Sequence, residues 1–312
     1  MRFEANFKLL PYLADFRTEV NFEDLNMITV FTPTYNRASF LRKQFESLSK
    51  QTLLDFEWLI VDDGSIDDTR NIVEQIRISS SFKIRYFYKK NGGKHTAINL
   101  GVAKARGDLF LILDSDDELP PDALETLQKV FEPIKDKSKY GGVCGYIAHR
   151  DGRVIGHPLL SADVSTIDLR YKLHCFGDMS EVYRTEVLKE FPFPEMKGEK
   201  FCPEVLVWNR ISQKYIVRVY PKVMYFRDYL KGGITDNIIR LRMQSPYATM
   251  MTYAEMVKYK EVPLLGKIRS AINYWRFWCC RQDNSYPVID SKWLWAFLFG
   301  IAMHWVDLFK TR

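Results

Sequence analysis

Between residues 27 and 114 the chain alternates between two spacings of apolar residues. The runs 27–31 (MITVF), 56–63 (FEWLIVDD), 83–88 (KIRYFY) and 108–114 (DLFLILD) are short and almost continuously apolar, as strands buried on both faces are. The segments between them carry helical spacing. In 38–50, Phe40, Leu41, Gln44, Phe45 and Leu48 fall on one helical face. Segment 65–76 predicts a second helix with Ser65 as N-cap and Asp68 three residues on, and 94–105 predicts a third. Strand and helix in this rhythm predict right-handed crossovers and a mainly parallel sheet covered on both faces.

From residue 119 the rhythm changes. Segment 121–131 is helical, with Pro120 and Pro121 suited to its first turn. Segments 140–149 and 153–158 predict a hairpin through Asp151-Gly152. Segments 180–191 and 202–213 flank a loop at 192–201, and 215–228 supplies one or two further strands. After a turn at Gly232-Gly233 the chain reads as helical nearly to its end. There is no internal repeat and no low-complexity segment.

With 312 residues, 46% of them apolar, the chain can bury a large core. A formal net charge of +6 is mild and without a dominant basic stripe, which argues against a nucleic-acid partner. The five cysteines form no CxxC pair, so they read as buried thiols in a reducing compartment. The first 16 residues contain Glu4 and Asp15 and no long apolar run, so no signal peptide is expected and the location reads as cytoplasmic.

Three predicted strands end in chemically useful residues: Thr32-Pro33-Thr34-Tyr35-Asn36-Arg37, Asp62-Asp63-Gly64-Ser65 and Asp114-Ser115-Asp116-Asp117. Parallel strands place these ends along one edge, where open α/β sheets bind ligands. Carboxylates at such density repel one another, and a hard divalent cation, Mn2+ or Mg2+, relieves the repulsion through oxygen ligands. Taken singly, each stretch has a plainer reading. The last is a solvated acidic turn heading a helix near Pro120; the second is a cap for the helix near Ser65, or the acidic pair of a phospho-acceptor domain.

The stretches 30–69 and 91–124, with their order, spacing and strand placement, resemble the nucleotide-sugar half of family 2 GT-A glycosyltransferases of the bacterial surface-polysaccharide type. The resemblance covers residues 27 to about 130 and continues more weakly to about 228. It implies a GT-A fold: a Rossmann-like, mainly parallel sheet with helices on both faces. It further implies that Thr32, Pro33, Thr34 and Tyr35 wrap the nucleotide base, with Tyr35 stacked on a pyrimidine and Arg37 near a phosphate. Asp63, with Asp62 behind it, would accept a hydrogen bond from the base; Gly92, Gly93 and Lys94 would approach the phosphates. Asp114 would approach the ribose or a metal-bound water, Ser115 would belong to the nucleotide site, and Asp116, then Asp117, would be the metal ligands. The family's catalytic base belongs to a Glu-Asp pair heading a later helix. Here Pro203-Glu204 stands in that place, which makes Glu204 the expected base and Glu199 the runner-up. Asp178 and Trp208 would shape the acceptor pocket.

The implied reaction is inverting transfer from a nucleoside-diphosphate sugar, by family habit a UDP-sugar, to a glycan or lipid-linked acceptor. A catalytically inert nucleotide-sugar binder is the alternative, favoured only by the missing Glu-Asp pair. An aspartyl-phosphate phosphatase is suggested by 111–116 (LILDSD), but Glu118 and the three preceding strands argue against it. The expected parts are an N-terminal extension (1–26), a nucleotide-sugar half (27–118), an acceptor half (119–228) and a C-terminal helical region (229–312). From Trp293 to Phe309 the tail is aromatic and apolar, interrupted by His304 and Asp307. This is short of the roughly 20 residues that span a bilayer. It suits a helix lying on the inner face of the cell membrane, a helix packed on the catalytic domain, or a homodimer contact.

Overall fold

The computed structural model describes residues 27–157, 161–227, 233, 235–281 and 286–310. The expected N-terminal extension and part of the turn at Gly232-Gly233 lie outside the described residues. The first half builds β1 (Ile28–Thr34), α1 (Ala38–Leu48), β2 (Phe56–Asp62), α2 (Thr69–Ser79), β3 (Lys83–Tyr88), α3 (Lys94–Lys104), β4 (Leu109–Ile112) and α4 (Ala123–Phe131). The second half adds β5 (Tyr140–Ala148), β6 (Ala162–Val164), α5 (Thr166–Tyr171), β7 (Met179–Arg184), α6 (Thr185–Glu190), α7 (Glu204–Ile211) and β8 (Ile216–Phe226). Four helices follow: α8 (Ile238–Gln244), α9 (Pro246–Met256), α10 (Leu264–Trp278) and α11 (Phe297–Lys310).

One eight-stranded sheet runs β3-β2-β1-β4-β7-β5-β8-β6. The strands β1 to β4 pair in parallel, as the alternation predicts. The antiparallel strand β7 joins β4 to β5, and β8 runs parallel to β5. Successive residues of the apolar strands serve opposite faces. Val30, Trp58, Ile60 and Leu111 pack with Leu41, Val73 and Leu124 of α1, α2 and α4, while Phe31, Leu59, Val61 and Phe110 pack with Ile98 and Val207 of α3 and α7. Both faces are therefore covered, which is why these strands lack an apolar–polar alternation.

Two helix starts differ from expectation. Helix α2 begins at Thr69, not Ser65. The Ser65 hydroxyl accepts the Asn36 N–H, and its own N–H goes to Asp62 Oδ1, so Ser65 ties two strand ends together instead of capping a helix. Helix α4 begins at Ala123, leaving Pro120 and Pro121 in the loop before it. The predicted hairpin forms, but its second arm is a single bridge, Ala148 with Val154.

The C-terminal helices form their own cluster around Tyr274, Trp275, Phe277 and Trp293. Helix α11 lies so close to α10 that a Cβ on Gly300 would sit 2.5 Å from the Trp275 Cβ. The Arg276 guanidinium donates twice to Asp307, at 2.5 Å each. The interruption of the apolar tail at Asp307 is thus a packing contact. The opposite side of α11 stays open, with Leu298 75% and Phe309 73% exposed.

Candidate active site

The carboxyl ends of β1, β2 and β4 open into a cleft of about 720 Å³, closed on its other side by β7, the start of α7 and α8. The acidic loop after β4 is held from below by helix α1. Three polar side chains of that helix and its exit point inward. Gln44 Nε2 donates to the carbonyls of Asp114 (2.8 Å) and Leu113 (3.4 Å), and Gln44 Oε1 accepts from Thr32 Oγ1. Ser47 Oγ bonds both the carbonyl and the N–H of Leu119. Gln51 reaches the Pro120 carbonyl and the Leu124 N–H. A loop that would otherwise splay under like-charge repulsion is therefore clamped through its backbone.

Asp63 fixes the other wall. Its Oδ1 accepts Lys89 Nζ (2.6 Å) and the Gly92 N–H (2.9 Å); its Oδ2 accepts Asn91 Nδ2 (3.1 Å) and the Gly93 N–H (2.7 Å). Those four bonds fill a carboxylate's acceptor positions and leave none open to a nucleotide base in this arrangement. They deliver Gly93, at φ +96°, to the head of α3, where a Cβ would meet the Lys200 carbonyl at 1.9 Å. Only glycine permits that approach.

Lys94, first residue of α3, stands in the middle of the cleft. Its ammonium lies 2.6 Å from Asp114 Oδ1 and 2.8 Å from Glu204 Oε1. Burial works to lower its pKa, but Asp114 and Glu204 outweigh it and hold the amine well above its ordinary value. Arg227, just past β8, donates to Asp117 Oδ2 through Nε (3.0 Å) and Nη2 (2.8 Å), to Asp114 Oδ2 (3.0 Å), and reaches Asp178 at 3.4 Å. Burial pushes the Asp117 carboxyl up to about 7, with Asp114 and Asp116 adding to the rise and Arg227 opposing it. Burial also acts to raise Asp114, but Lys94 and Arg227 hold it below the usual carboxylate range. Asp116 is the least engaged of the three, with Arg37 at 3.8 Å.

The structure gathers Pro33, Thr34, Tyr35, Arg37, Asp63, Gly93, Lys94, Asp114, Ser115, Asp116, Asp117, Asp178, Glu204 and Trp208 around this one cleft. Trp208 lines it from a buried position, packed on Tyr183 and Phe193. Four other expected residues do not line it, and the first is Gly92, whose N–H is turned to Asp63. Thr32 points at Gln44 in the core and accepts the Trp58 indole N–H. Asp62 is buried beneath the turn, taking the Ser65 N–H and the Tyr86 hydroxyl. Glu199 accepts the Tyr247 and Ala248 N–H groups at the start of α9, which fixes it as a helix cap away from the cleft.

Residues that the sequence reading passed over complete the walls: Arg227, and the partly buried pair Arg170–Glu181 at 3.1 Å. Burial pushes Glu181 up to about 7; Arg170 opposes this, and the charges of Glu204 and Asp178 add to it. Among the described residues no group of three His, Cys, Asp or Glu side chains is arranged to hold a metal by itself. The donors present fit a hard cation that takes one or two carboxylates and completes its shell with phosphate and water, Asp116 being the open one.

A doubly covered parallel half-sheet with a glycine loop and a carboxylate cluster at its switch edge defines an open α/β domain whose ligand-binding edge is this cleft. The model for glycosyl transferase family 2 matches residues 29–190, and the chain belongs to that family. An uncharacterised glycosyltransferase of Nostoc sp. is 30% identical over 210 residues, 64% of this chain and 64% of the relative, so the chain spans under two thirds of that protein's length. The crystal structure of S. aureus TarS 1–349 in complex with UDP-GlcNAc is similar at a TM-score of 0.57 and 19% identity, covering 89% of each chain. The mannosyltransferase PcManGT of Pyrobaculum calidifontis, solved with GDP-Man and Mn2+, is similar at 0.55 and 17% identity, covering 89% of this chain and 74% of its own. The fold is that of the GT-A glycosyltransferases.

Proposed function

We propose that the protein is an inverting, metal-dependent glycosyltransferase that moves a sugar from a nucleoside-diphosphate sugar, with UDP as carrier, to a hydroxyl of a glycan or lipid-linked acceptor. The observation that carries this reading is the meeting of Lys94, Asp114 and Glu204 through one ammonium at the mouth of a family 2 fold. In this reading Tyr35, half exposed at the rim, stacks on the base. The loop ending in Gly93 lets the backbone approach the diphosphate, and Lys94 meets its charge. Asp116, with Asp117 behind it, would hold Mn2+ or Mg2+, whose charge would ease departure of the nucleoside diphosphate. Glu204, at the N-terminus of α7, takes the proton of the acceptor hydroxyl as that oxygen attacks the anomeric carbon. Attack opposite the leaving group by a single displacement inverts the configuration. Asp178 and Trp208 border the acceptor side.

A UDP-GlcNAc complex of TarS and a GDP-Man, Mn2+ complex of PcManGT support a nucleotide-sugar donor for this fold. No helix among the described residues is long and apolar enough to cross a membrane. The exposed apolar side of α11 supports a peripheral place on the inner face of the cell membrane, beside a lipid-linked acceptor.

The deciding experiment is nucleotide release from a panel of UDP- and GDP-sugars with Mn2+, using the full chain and Glu204→Gln. Turnover falling by about 10²–10⁴-fold in the variant, with nucleotide affinity kept within about threefold, is expected. Turnover unchanged in Glu204→Gln removes that residue from the role, and binding without turnover for every donor would favour the inert binder.

A further inference from the structure

Arg227 occupies a place that the proposed chemistry needs for something else. Its backbone is fixed where β8 meets the acidic loop: Phe226 and Glu118 exchange both main-chain hydrogen bonds, and the Arg227 N–H goes to the Ala148 carbonyl. Its guanidinium lies 5.3 Å from the Tyr225 ring centroid and reaches three separate carboxylates, Asp114, Asp117 and Asp178. Asp114 thus has a cation on each oxygen, Lys94 on Oδ1 and Arg227 on Oδ2. Asp117 is almost fully buried, and both of its bonds to Arg227 fall on the one oxygen, Oδ2. Of the acidic trio only Asp116 is left facing the cleft with a distant partner.

We propose that Arg227 is the resident counter-ion of this cluster: it competes with a divalent cation for Asp114 and Asp117, and turns to the diphosphate of a bound nucleotide when that cation is in place. The inference rests on the nucleotide-sugar reading above. Its physical basis is simple. A divalent cation entering beside a guanidinium meets like charge at short range in a partly desolvated site, so the two do not share the same oxygens. A guanidinium is matched in shape to phosphate as well as to carboxylate, so a diphosphate offers it a second partner within the same cleft. The longest contact, to the half-exposed Asp178, is the one that yields first.

The consequence is a split in sign that a merely structural arginine does not produce. In Arg227→Met, Mn2+ alone should bind about tenfold tighter, because a neighbouring positive charge is gone. UDP with EDTA present should bind about tenfold more weakly, because a charge-assisted partner is lost. Arg227→Lys, which keeps the charge but reaches fewer carboxylates, should shift both in the same directions by smaller factors. Free Mn2+ is read by its electron paramagnetic resonance signal and UDP by calorimetry, on the full chain. Mn2+-induced rise in unfolding temperature gives a third reading, larger in the variants than in the parent, which holds even if Arg227→Met is destabilised. Mn2+ binding unchanged or weaker in both variants overturns the proposal. Failure of the parent protein to bind UDP or GDP under any condition instead removes the nucleotide-sugar reading, and this inference with it.

Discussion

Gln44→Leu tests whether helix α1 holds the acidic loop in its working shape. Leucine matches glutamine in size and helix propensity, so the helix itself loses little. What disappears is a set of buried hydrogen bonds. The Asp114 carbonyl loses a donor at 2.8 Å but keeps the Asp117 N–H at 2.9 Å. The Leu113 carbonyl loses a long bond of 3.4 Å. The Thr32 hydroxyl loses its acceptor while still accepting from the Trp58 indole. With about 1 kcal/mol for each bond whose partner keeps another, and more where a group is orphaned, the loss is about 2–3 kcal/mol, offset by about 1 kcal/mol for no longer burying an amide. A net cost of about 1–2 kcal/mol is expected in thermal unfolding. Because the strain falls on the backbone of Asp114, nucleotide affinity should weaken up to about thirtyfold, at about 1.4 kcal/mol per factor of ten. Gln44→Glu sharpens the test: only when protonated does its carboxyl donate to the Asp114 carbonyl. Its folded-state pKa is then raised, so its defect should shrink as the pH is lowered. A Gln44→Leu protein within about 0.5 kcal/mol of the parent, with unchanged nucleotide binding, refutes the clamp.

Gly93→Ala should lower the unfolding temperature and weaken nucleotide binding together. A Cβ at φ +96° meets the Lys200 carbonyl at 1.9 Å, and a cost above about 1–2 kcal/mol follows from backbone strain alone; differential scanning fluorimetry reads the first and calorimetry the second. Glu181 is raised by burial from 4.5 to about 7, so the folded protein holds a proton there that the unfolded chain releases. Stability from this group is therefore full below about pH 4.5 and is lost as the pH rises through about 7, by an amount on the order of 2–3 kcal/mol. Glu181→Gln should flatten the difference in unfolding temperature between pH 5 and pH 8; an unchanged difference sets the reading aside. Leu298→Glu with Phe309→Glu should cut co-sedimentation with anionic phospholipid vesicles at least tenfold, since each removes about 1.5–3 kcal/mol of apolar burial. Unaltered sedimentation, or a dimer that these changes dissociate, would assign that face to a protein contact instead.

Much of the site was local in sequence and so legible in it. Apolar strands leading into Asp62-Asp63 and Asp114–Asp117, and the glycine pair before Lys94, all specify short-range geometry. Their convergence follows from parallel strands alone. Glu204 came from the family resemblance, as the carboxylate standing where the family's base heads a later helix. Only the family resemblance set Asp63 in front of Asp62, because which of two adjacent carboxylates faces the cleft depends on how the turn folds back on Ser65 and Tyr86. A signal for the clamp was present: Gln44, Ser47 and Gln51 are polar residues three and four apart on the buried side of α1 and its exit. Polar groups on an apolar stripe need partners, and here the partners are the backbone of 113–124.

The sequence by itself determined the order of strands and helices, the edge on which ligands gather, and most of the residues on that edge, because these follow from periodicity and from groups a few positions apart. Tertiary structure decided what neutralises the carboxylates. Arg227 meets Asp114 and Asp117 across more than a hundred residues of chain, and Arg170 meets Glu181 from a separate helix. It also decided that Glu199 caps a helix while Glu204 faces Lys94. Charge pairing of this kind is set by distance in space, and nothing in the spacing of residues along the chain encodes it.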